Sequence, residues 1–531
     1  MKRAIRYIVF GMLAFITVVR CDVAFGQVKF TSEEKNLKKE ADYYFGYGDY
    51  LNALKIYKGL LKTHSLSGEL NYKVGKSVLI TQGNWEQAVD YFLIADKNGN
   101  KDASLYLGDW YLLQNDVEKS IAHYQSLETK KGYPNVDGIS IQDRIASCKK
   151  ASEMMNNPVD VTIDNMGETI NSEHGDYVPV ISADEELLMF TSRREGGTGG
   201  NLDPYGKYFE DIYVSIKNDM EWEAPIGLGE LVNTDNHDAC VGLSSDGTTL
   251  ISYRTNEAYS GGDLYYSELE GVVWQKPIKF GPNINSEHLE PSASFTSDMR
   301  TLYFSSNRPG GIGDLDIYRV VKLPNGEWSL PQSLGEVINT KYSDDAPFIH
   351  PDGKTLYFSS KGHSTMGNYD IFKSDLNEDG TWSPPENLGY PINTTDDDIY
   401  FVLSADGKRG YFSSGRSGGF GGQDLYVALL PGKVKNLTII KGIVSVADNN
   451  DRPTPISARI TVRNAESKRI QGIYYSNSTT GKYLIVIPPN KKFSLIVEAE
   501  GYKTYKQNVF YEDDAGFNII YKPLELVKAI K

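Results

Sequence analysis

Short apolar runs separated by polar turns recur five times between residues 160 and 430. In the clearest copy an acidic turn at Asp298 precedes the run Thr301-Leu-Tyr-Phe-Ser-Ser306, and a second acid, Asp316, opens the next run. Apolar runs of about six residues between turns predict β-strands. The turn acids Asp298, Asp352 and Asp406 follow one another at intervals of 54 residues. This period is long for a helical repeat and is typical of a four-stranded propeller blade.

Both acids recur in every copy. The turn acids are Asp184, Asp246, Asp298, Asp352 and Asp406, and the acids that open the next strand are Asp211, Asp263, Asp316, Asp370 and Asp424. The fifth copy lacks the tryptophan-containing segment that ends the others, and a matching piece, Met166-Gly167 with Ile170-Asn171, precedes the first copy. A strand borrowed from the opposite end closes a propeller and removes its exposed sheet edges. We therefore predict a five-bladed ring over residues 158–431, sealed by residues near 160–171. Six blades are the alternative if a degenerate copy is hidden.

These repeats resemble the WD40-like and TolB-like propellers of bacterial envelope proteins. The resemblance is clearest in Phe304-Ser-Ser-Asn-Arg308-Pro-Gly-Gly followed by Asp316-Ile-Tyr318, and it covers about half of the chain. Propellers usually present surfaces, so the resemblance implies a recognition module that has no catalysis of its own.

A helical pattern precedes the propeller, over residues 31–156. Small residues at Ala53, Ala88 and Ser120 are each followed four positions later by an aromatic residue, and they lie 35 and 32 residues apart. The pattern resembles tetratricopeptide repeats, in which a small residue lets paired helices approach and an aromatic residue fills the gap. It predicts an α-helical solenoid whose groove suits a peptide or a helix, with residues 137–156 as a terminal helix. The alternative is a spacer with an unused groove.

The third region, residues 436–531, alternates apolar and polar positions, as in Ile456-x-Ala458-x-Ile460-x-Val462. This pattern predicts a small antiparallel β-sandwich. With its Thr480-Gly481-x-Tyr483 hairpin and Gly501-Tyr502, the region resembles the carboxypeptidase regulatory-like fold. The predicted fold class is therefore multidomain: a helical solenoid, an all-β propeller and a small sandwich.

The N-terminus has the pattern of a secretory signal peptide over residues 1–26. A basic start with Lys2, Arg3 and Arg6 is followed by an apolar stretch and by small residues before Gln27. Arg20 occupies a position where a lipobox needs a small residue, so lipidation at Cys21 is not expected. No later segment is long and apolar enough to predict a membrane span. The formal charge of -15 disfavours nucleic acid as a partner, because binding to phosphates needs clustered Lys and Arg.

Tetratricopeptide repeats, such a propeller and such a sandwich follow one another in Bacteroidetes envelope proteins, among them the PorE-like proteins associated with type IX secretion. Those proteins usually continue into an OmpA-like domain, whereas this sequence ends after the sandwich, so direct peptidoglycan anchoring is not expected. The resemblance implies an exported, non-enzymatic adaptor in the periplasm or at the outer membrane, with envelope proteins as partners and no cofactor. The alternatives are a glycan- or peptidoglycan-binding protein, and a propeller hydrolase acting on polysaccharide.

One carboxylate lies eight positions before each turn acid. These residues are Asp176, Asp238, Glu290, Asp344 and Asp398. In the expected register they begin the innermost strands and surround one mouth of the channel, where they are candidates for binding a cation or a basic partner segment. The structural alternative pairs each of them with the basic residue after the second strand, at Arg193, Arg254, Arg308, Lys361 or Arg416. We favour that structural alternative, because a feature repeated in every blade suits a scaffold better than a unique site.

Two irregular segments are further candidates. The first copy carries an insertion, residues 196–208, with Tyr205 and Tyr208 as candidate partner contacts. Residues 375–386 formally match a calcium loop, but no helix flanks the segment and Pro384 and Pro385 interrupt it, which disfavours calcium. His174, His237 and His288 lie at variable offsets, so we predict surface loop residues and no metal set.

Overall fold

The computed structural model describes residues 29–128, 138–203, 205–219, 221–256, 261–432, 435–447, 453–512 and 516–529. The predicted signal peptide and Cys21 lie outside these residues. No helix within the described ranges has the length and apolar character that a bilayer crossing requires. The chain forms three units, which we call the helical unit, the ring and the sandwich.

Most helices of the helical unit begin at a residue whose side chain caps the helix. Thr31 and Glu34 form a capping box at the first helix, and Asp49, Ser67, Asn84 and Ser140 cap later ones. The helices within the described residues are α1 (Ser32–Gly46), α2 (Tyr50–Leu61), α3 (Gly68–Gln82), α4 (Trp85–Lys97), α5 (Ala103–Leu113), α6 (Val117–Glu128) and α7 (Ile141–Asn156).

The small and aromatic positions of the helical pattern lie in the core of this unit. Ala53, Ala88 and Ser120 are fully buried. Two of the three aromatic residues pack on a glycine of the preceding helix: Phe92 on Gly75 and Tyr124 on Gly108. A Cβ added to Gly75 would lie 2.8 Å from the ring of Phe92. Glycine is therefore needed at this position for the two helices to approach so closely.

The ring is built from strands β1 to β22. They are β1 (Thr162–Asn165), β2 (Asp176–Ile181), β3 (Leu187–Ser192), β4 (Asp211–Asn218), β5 (Glu221–Trp222), β6 (Ile226–Gly227), β7 (Asp238–Leu243), β8 (Thr249–Thr255), β9 (Gly262–Glu270), β10 (Val273–Trp274), β11 (Ile278–Lys279), β12 (Ala293–Phe295), β13 (Thr301–Ser306), β14 (Asp316–Val321), β15 (Gln332–Ser333), β16 (Asp344–Ile349), β17 (Thr355–Ser360), β18 (Asp370–Asp375), β19 (Glu386–Asn387), β20 (Asp398–Leu403), β21 (Arg409–Ser414) and β22 (Asp424–Leu429).

Among the described residues these strands form five antiparallel sheets, which we number in the order of their inner strands β2, β7, β12, β16 and β20. Each inner strand contacts the next, and β20 contacts β2, so the sheets are arranged in a closed cycle. Five apolar clusters lie between neighbouring sheets, including one between the fifth and the first, which contains Leu188 and Val402. The apolar core of the ring thus consists of five separate clusters, each between two neighbouring sheets.

The segment before the first copy completes the fifth sheet, as the sequence predicts. Strand β1 pairs antiparallel with β22, with Thr162 opposite Leu429 and Asn165 opposite Tyr426. Asn171 adds two side-chain hydrogen bonds to the backbone of Leu425, one at 2.8 Å and one at 3.0 Å. The two ends of the array are therefore joined by main-chain and side-chain bonds.

The sandwich contains strands β23 to β31 in two sheets around one apolar cluster. One sheet has the order β26-β25-β28-β29, and in the other β23 pairs with β24, β27, β30 and β31. The strands are β23 (Leu437–Ala447), β24 (Pro453–Pro455), β25 (Arg459–Asn464), β26 (Ile470–Tyr475), β27 (Lys482–Ile487), β28 (Phe493–Glu498), β29 (Tyr505–Val509), β30 (Phe517–Tyr521) and β31 (Leu524–Leu526).

Candidate functional site

A segment of Ile or Val, then Asn, then Ser or Thr leads into every inner strand, and its asparagine binds the backbone of the third strand of a sheet. In each case the amide oxygen accepts a backbone N–H bond, and the amide nitrogen donates to the carbonyl of the same residue. The pairs are Asn171 with Leu425, Asn233 with Ile212, Asn285 with Leu264, Asn339 with Ile317 and Asn393 with Ile371. The recurring asparagine therefore has a structural role.

The five predicted carboxylates lie beside these asparagines, at the end of the ring where the inner strands begin, which we call the upper face. Asp176, Asp238, Glu290, Asp344 and Asp398 are all 0% exposed. Each accepts hydrogen bonds from the backbone N–H and the hydroxyl of the serine or threonine four residues earlier. Four of these acids begin the inner strands as predicted, whereas Glu290 lies three residues before β12. The oxygens of all five are bonded to their own chain below the surface. That they bind a partner stays a prediction.

Four of the five carboxylates also pair with an arginine. The pairs are Asp176 with Arg194 at 2.8 Å, Asp238 with Arg254 at 2.5 Å, Glu290 with Arg308 at 3.1 Å and Asp398 with Arg416 at 2.9 Å. In the first sheet the sequence prediction chose Arg193, which is wrong by one position. Arg193 points away and binds Asp203 and Glu210 instead.

The fourth sheet departs from this rule. The predicted partner Lys361 lies over the ring of Tyr369, and His363 takes the place of the arginine. Its Nε2 lies 2.8 Å from the carbonyl of Ile338, the equivalent of the carbonyls that the arginines bind, but 3.9 Å from Asp344 Oδ1. Burial raises the pKa of Asp344 to about 7, although Ser360 and Thr340 donate hydrogen bonds to it. Burial also lowers the pKa of His363.

The insertion of the first copy is held by a buried polar network. Arg193 donates to Asp203 and Glu210, and Tyr177 donates to Glu210. His237 also contacts Glu210, at 3.2 Å, and is buried, which corrects its assignment as a surface residue. Burial opposes ionisation of Glu210, but the hydrogen bond with His237 and the charge of Arg193 lower its pKa to about 2.

The two candidate tyrosines of the insertion differ in environment. Tyr205 is exposed, whereas Tyr208 is half-buried and packs edge-on against His174. Between them, Gly206 meets the helical unit, since a Cβ added there would lie 3.2 Å from Leu51. The insertion thus contacts another part of the same chain, and a role of Tyr205 and Tyr208 in binding a partner stays a prediction.

The helical unit also contacts the fourth sheet on the upper face. Met366 is buried in the apolar cluster formed by α5, α6 and α7. Asp143 of α7 accepts a hydrogen bond from Tyr342 and lies 3.3 Å from the ammonium of Lys341. The loops of the one sheet that lacks an arginine are therefore those that pack against α7.

The sandwich occupies the opposite end of the ring, which we call the lower face. Lys441 pairs with Asp184 at 3.0 Å and with Glu186 at 2.7 Å, and Lys435 pairs with Asp352 at 3.1 Å. An apolar cluster joins Ala183 and Ala405 of the ring to Leu437, Ile439, Leu484 and Val486 of the sandwich. Two of the turn acids predicted from the repeat, Asp184 and Asp352, therefore anchor the third unit.

A cleft of about 1120 Å³ remains between the sandwich and the lower face of the second and third sheets. Strand β26 and the residues after it form one wall, and hairpins of the ring form the other. Four acids, Asp246, Glu268, Glu270 and Asp298, line it together with Arg300 and Lys322. Sequence analysis missed this site, because its two walls come from units about 200 residues apart and neither wall has a motif of its own.

The formal calcium loop is an ordinary hairpin. Asp375 ends β18 opposite Thr355, Asp379 accepts hydrogen bonds from Thr381, and Glu386 pairs with Lys373 at 3.1 Å. Among the described residues, no group of three or more His, Cys, Asp or Glu side chains is arranged to hold a metal ion.

A scan against protein-family models finds no match for this sequence, and a search of curated proteins finds no relative. TolB from Acinetobacter baumannii is similar at 16% identity with a TM-score of 0.33, over 50% of this chain and 57% of that chain. The match thus spans less than two thirds of that TolB chain.

Two further solved structures are glycoside hydrolases. An α-L-arabinofuranosidase from Lactobacillus brevis shares 11% identity over 54% of this chain and 95% of that chain, with a TM-score of 0.33. The second is CoXyl43, a GH43 β-xylosidase/α-arabinofuranosidase from a compost microbial metagenome. It shares 12% identity over 56% of this chain and 98% of that chain, with a TM-score of 0.34. At these identities and TM-scores the likeness carries no conclusion about the activity of this chain.

Proposed function

We propose that this protein is an exported, non-enzymatic scaffold of the bacterial cell envelope that binds protein partners, in an outer-membrane or type IX secretion assembly. Its architecture is a tetratricopeptide-like helical unit, a five-bladed propeller and a carboxypeptidase regulatory-like sandwich. The cycle of five sheets and the buried small and aromatic positions of the helices support this assignment.

The observation that carries the proposal is the use of the repeated ionisable groups inside the fold. The five carboxylates at or just before the start of the inner strands are buried and bonded to neighbouring hydroxyls, and four of them are paired with arginine. A hydrolase that used this ring of acids would need two or three of them to be unpaired and exposed to substrate. The surfaces and the cleft are therefore the parts of the molecule best suited to function.

The test combines turnover with capture of partners. Purified protein is incubated with envelope polysaccharides, and cross-linking in intact cells is followed by mass spectrometry. We expect no released sugar and recurrent cross-links to envelope proteins. Substitutions Asp238→Asn and Glu290→Gln distinguish a structural role of these carboxylates from a catalytic one. A structural role predicts that the substitutions make the ring less stable. Specific polymer cleavage that these substitutions abolish without unfolding the ring would refute the proposal.

A further inference from the structure

Strand β26, which lines the cleft, is an edge strand of the sandwich within the part of the chain that the structure describes. Strand β26 pairs with β25 along Ile470–Tyr475 and is the last strand of its sheet within the described residues. Its six residues offer an edge of about 20 Å, at 3.3 Å per residue. An edge strand carries a row of N–H and C=O groups that can pair with another extended chain. Most edge strands are protected by charges, by proline or by a covering element, whereas this one borders a cleft.

The side chains of β26 that line the cleft and are accessible are apolar, whereas the exposed Gln471 is not part of the cleft. Ile473 is partly buried, and Tyr475 and Ile470 are 60% and 37% exposed. The facing wall is charged: Glu268 and Glu270 are exposed on the same side of β9 and both line the cleft. The cleft is also lined by Asp246 and Asp298 and by the basic residues Arg300 and Lys322. Its four acidic and two basic side chains together carry a net charge of about -2.

These two walls match an extended chain whose side chains alternate between apolar and basic. In a strand, successive side chains point to opposite faces, so one set meets the apolar side of β26 and the other meets the acids of the ring. A second copy of this protein fits poorly, because its own β26 is faced by the hairpins of its own ring and cannot enter the cleft as a free strand.

We infer that the cleft binds an extended peptide segment of a partner protein by strand addition to β26, with basic side chains directed at Glu268 and Glu270. The inference rests on the proposed function, since it names the partner chemistry of a scaffold. Main-chain pairing gives affinity in this mode of recognition, and the alternating side chains give selectivity.

The test uses a fluorescein-labelled octapeptide of alternating valine and lysine, blocked at both ends, and the full chain without its first 26 residues. Anisotropy should show saturable binding that weakens as salt is raised, because the attraction between charges is screened. An octapeptide of alternating valine and glutamate should not bind.

Methylated peptides test strand addition itself. Only every second N–H of an added strand pairs with the edge, and the side-chain pattern fixes which set faces β26. N-methylation of the valines and N-methylation of the lysines should therefore have opposite results: one peptide loses binding and the other keeps it. Equal affinity of both methylated peptides for the protein would overturn the inference.

Two charge-reversal variants test the location. Glu268→Lys/Glu270→Lys should weaken binding about tenfold or more, because like charges then oppose the lysines. The matched control Glu221→Lys/Glu223→Lys changes exposed acids on the hairpin of the neighbouring sheet and should bind like the unmodified protein. Both variants are checked for an unchanged unfolding transition.

Undiminished binding by Glu268→Lys/Glu270→Lys, or no saturable binding of the valine–lysine peptide, would refute the inference. If cross-links to envelope proteins persist through other surfaces in that case, the proposed scaffold function stands without this cleft.

Discussion

At the scale of single residues, the same arrangement of a buried acid and an arginine occurs in four sheets of the ring and is replaced in the fourth sheet. In four sheets an arginine pairs with the buried acid, binds the carbonyl of the loop before it and lies over an aromatic residue of the same sheet. In the fourth sheet His363 takes the place of the arginine between the rings of Phe358 and Phe372. A histidine reaches the carbonyl but leaves Asp344 without a close cation, so burial dominates the pKa of that acid.

The arginine is expected to be necessary where it occurs. Arg416→Ala leaves Asp398 fully buried without its cation, and removing one partner of a buried ion pair costs about 3–5 kcal/mol. We expect the free energy of unfolding of the ring to fall by this amount, measured by tryptophan fluorescence in a denaturant titration. Lys361→Ala is the control, because Lys361 only lies over Tyr369, and it should change stability by less than about 1 kcal/mol. Equal effects of the two substitutions would contradict the account.

The raised carboxyl pKa values predict how stability depends on pH. Burial raises the pKa of Asp344, Asp370 and Asp396 to about 7 in the folded chain, far above the value of about 4 for an unfolded one. The folded state then binds more protons than the unfolded state between these values. The contribution of these groups to stability therefore falls as pH rises from about 4 to about 7.

Thermal unfolding at pH 5 and at pH 8 measures this dependence. Asp344→Asn keeps the shape of the side chain and removes the titrating group, so we expect the drop in melting temperature between the two pH values to become smaller. A variant with the same drop as the unmodified protein would show that Asp344 does not titrate in this range.

At the scale of elements, closure of the ring depends on β1. Thr162 and Leu429 are partners at the end of the β1–β22 ladder. In the double variant Thr162→Cys/Leu429→Cys, a disulfide would join the two ends of the array. A cross-link that closes a loop of this length raises the free energy of unfolding by about 3–5 kcal/mol. We expect the oxidised variant to unfold at higher denaturant than the same variant reduced. If oxidation leaves the transition unchanged, β1 does not hold the ring closed.

The sequence predicted this architecture because each copy carries its own markers. The repeated acids predicted where the sheets lie, and the displaced Ile170-Asn171 segment predicted how the ring closes. It did not predict which arginine pairs in the first sheet, because Arg193 and Arg194 are adjacent and only the side-chain direction distinguishes them. Nor did it predict the burial of His237 or the cleft, because both depend on which segments meet in space.

At the scale of the whole molecule, the ring is held between two units of its own chain. Asp143 and Met366 belong to the contact with the helical unit, and Lys435 and Lys441 belong to the contact with the sandwich. The large cleft beside the sandwich lies on the lower face, away from the helical unit. These contacts join the three units, and we place the function of the molecule on its surfaces.

The most direct test of this account is photo-cross-linking in living cells from a benzoylphenylalanine at Tyr475 in the cleft, with the adducts sequenced by mass spectrometry. A probe at Leu330, which is 75% exposed on the third sheet of the ring, is the control. We predict that the Tyr475 probe joins an extended, basic segment of an envelope protein and that the Leu330 probe gives no such adduct. Glycan adducts at Tyr475, or a yield of adducts at Tyr475 no higher than at Leu330, would contradict this account.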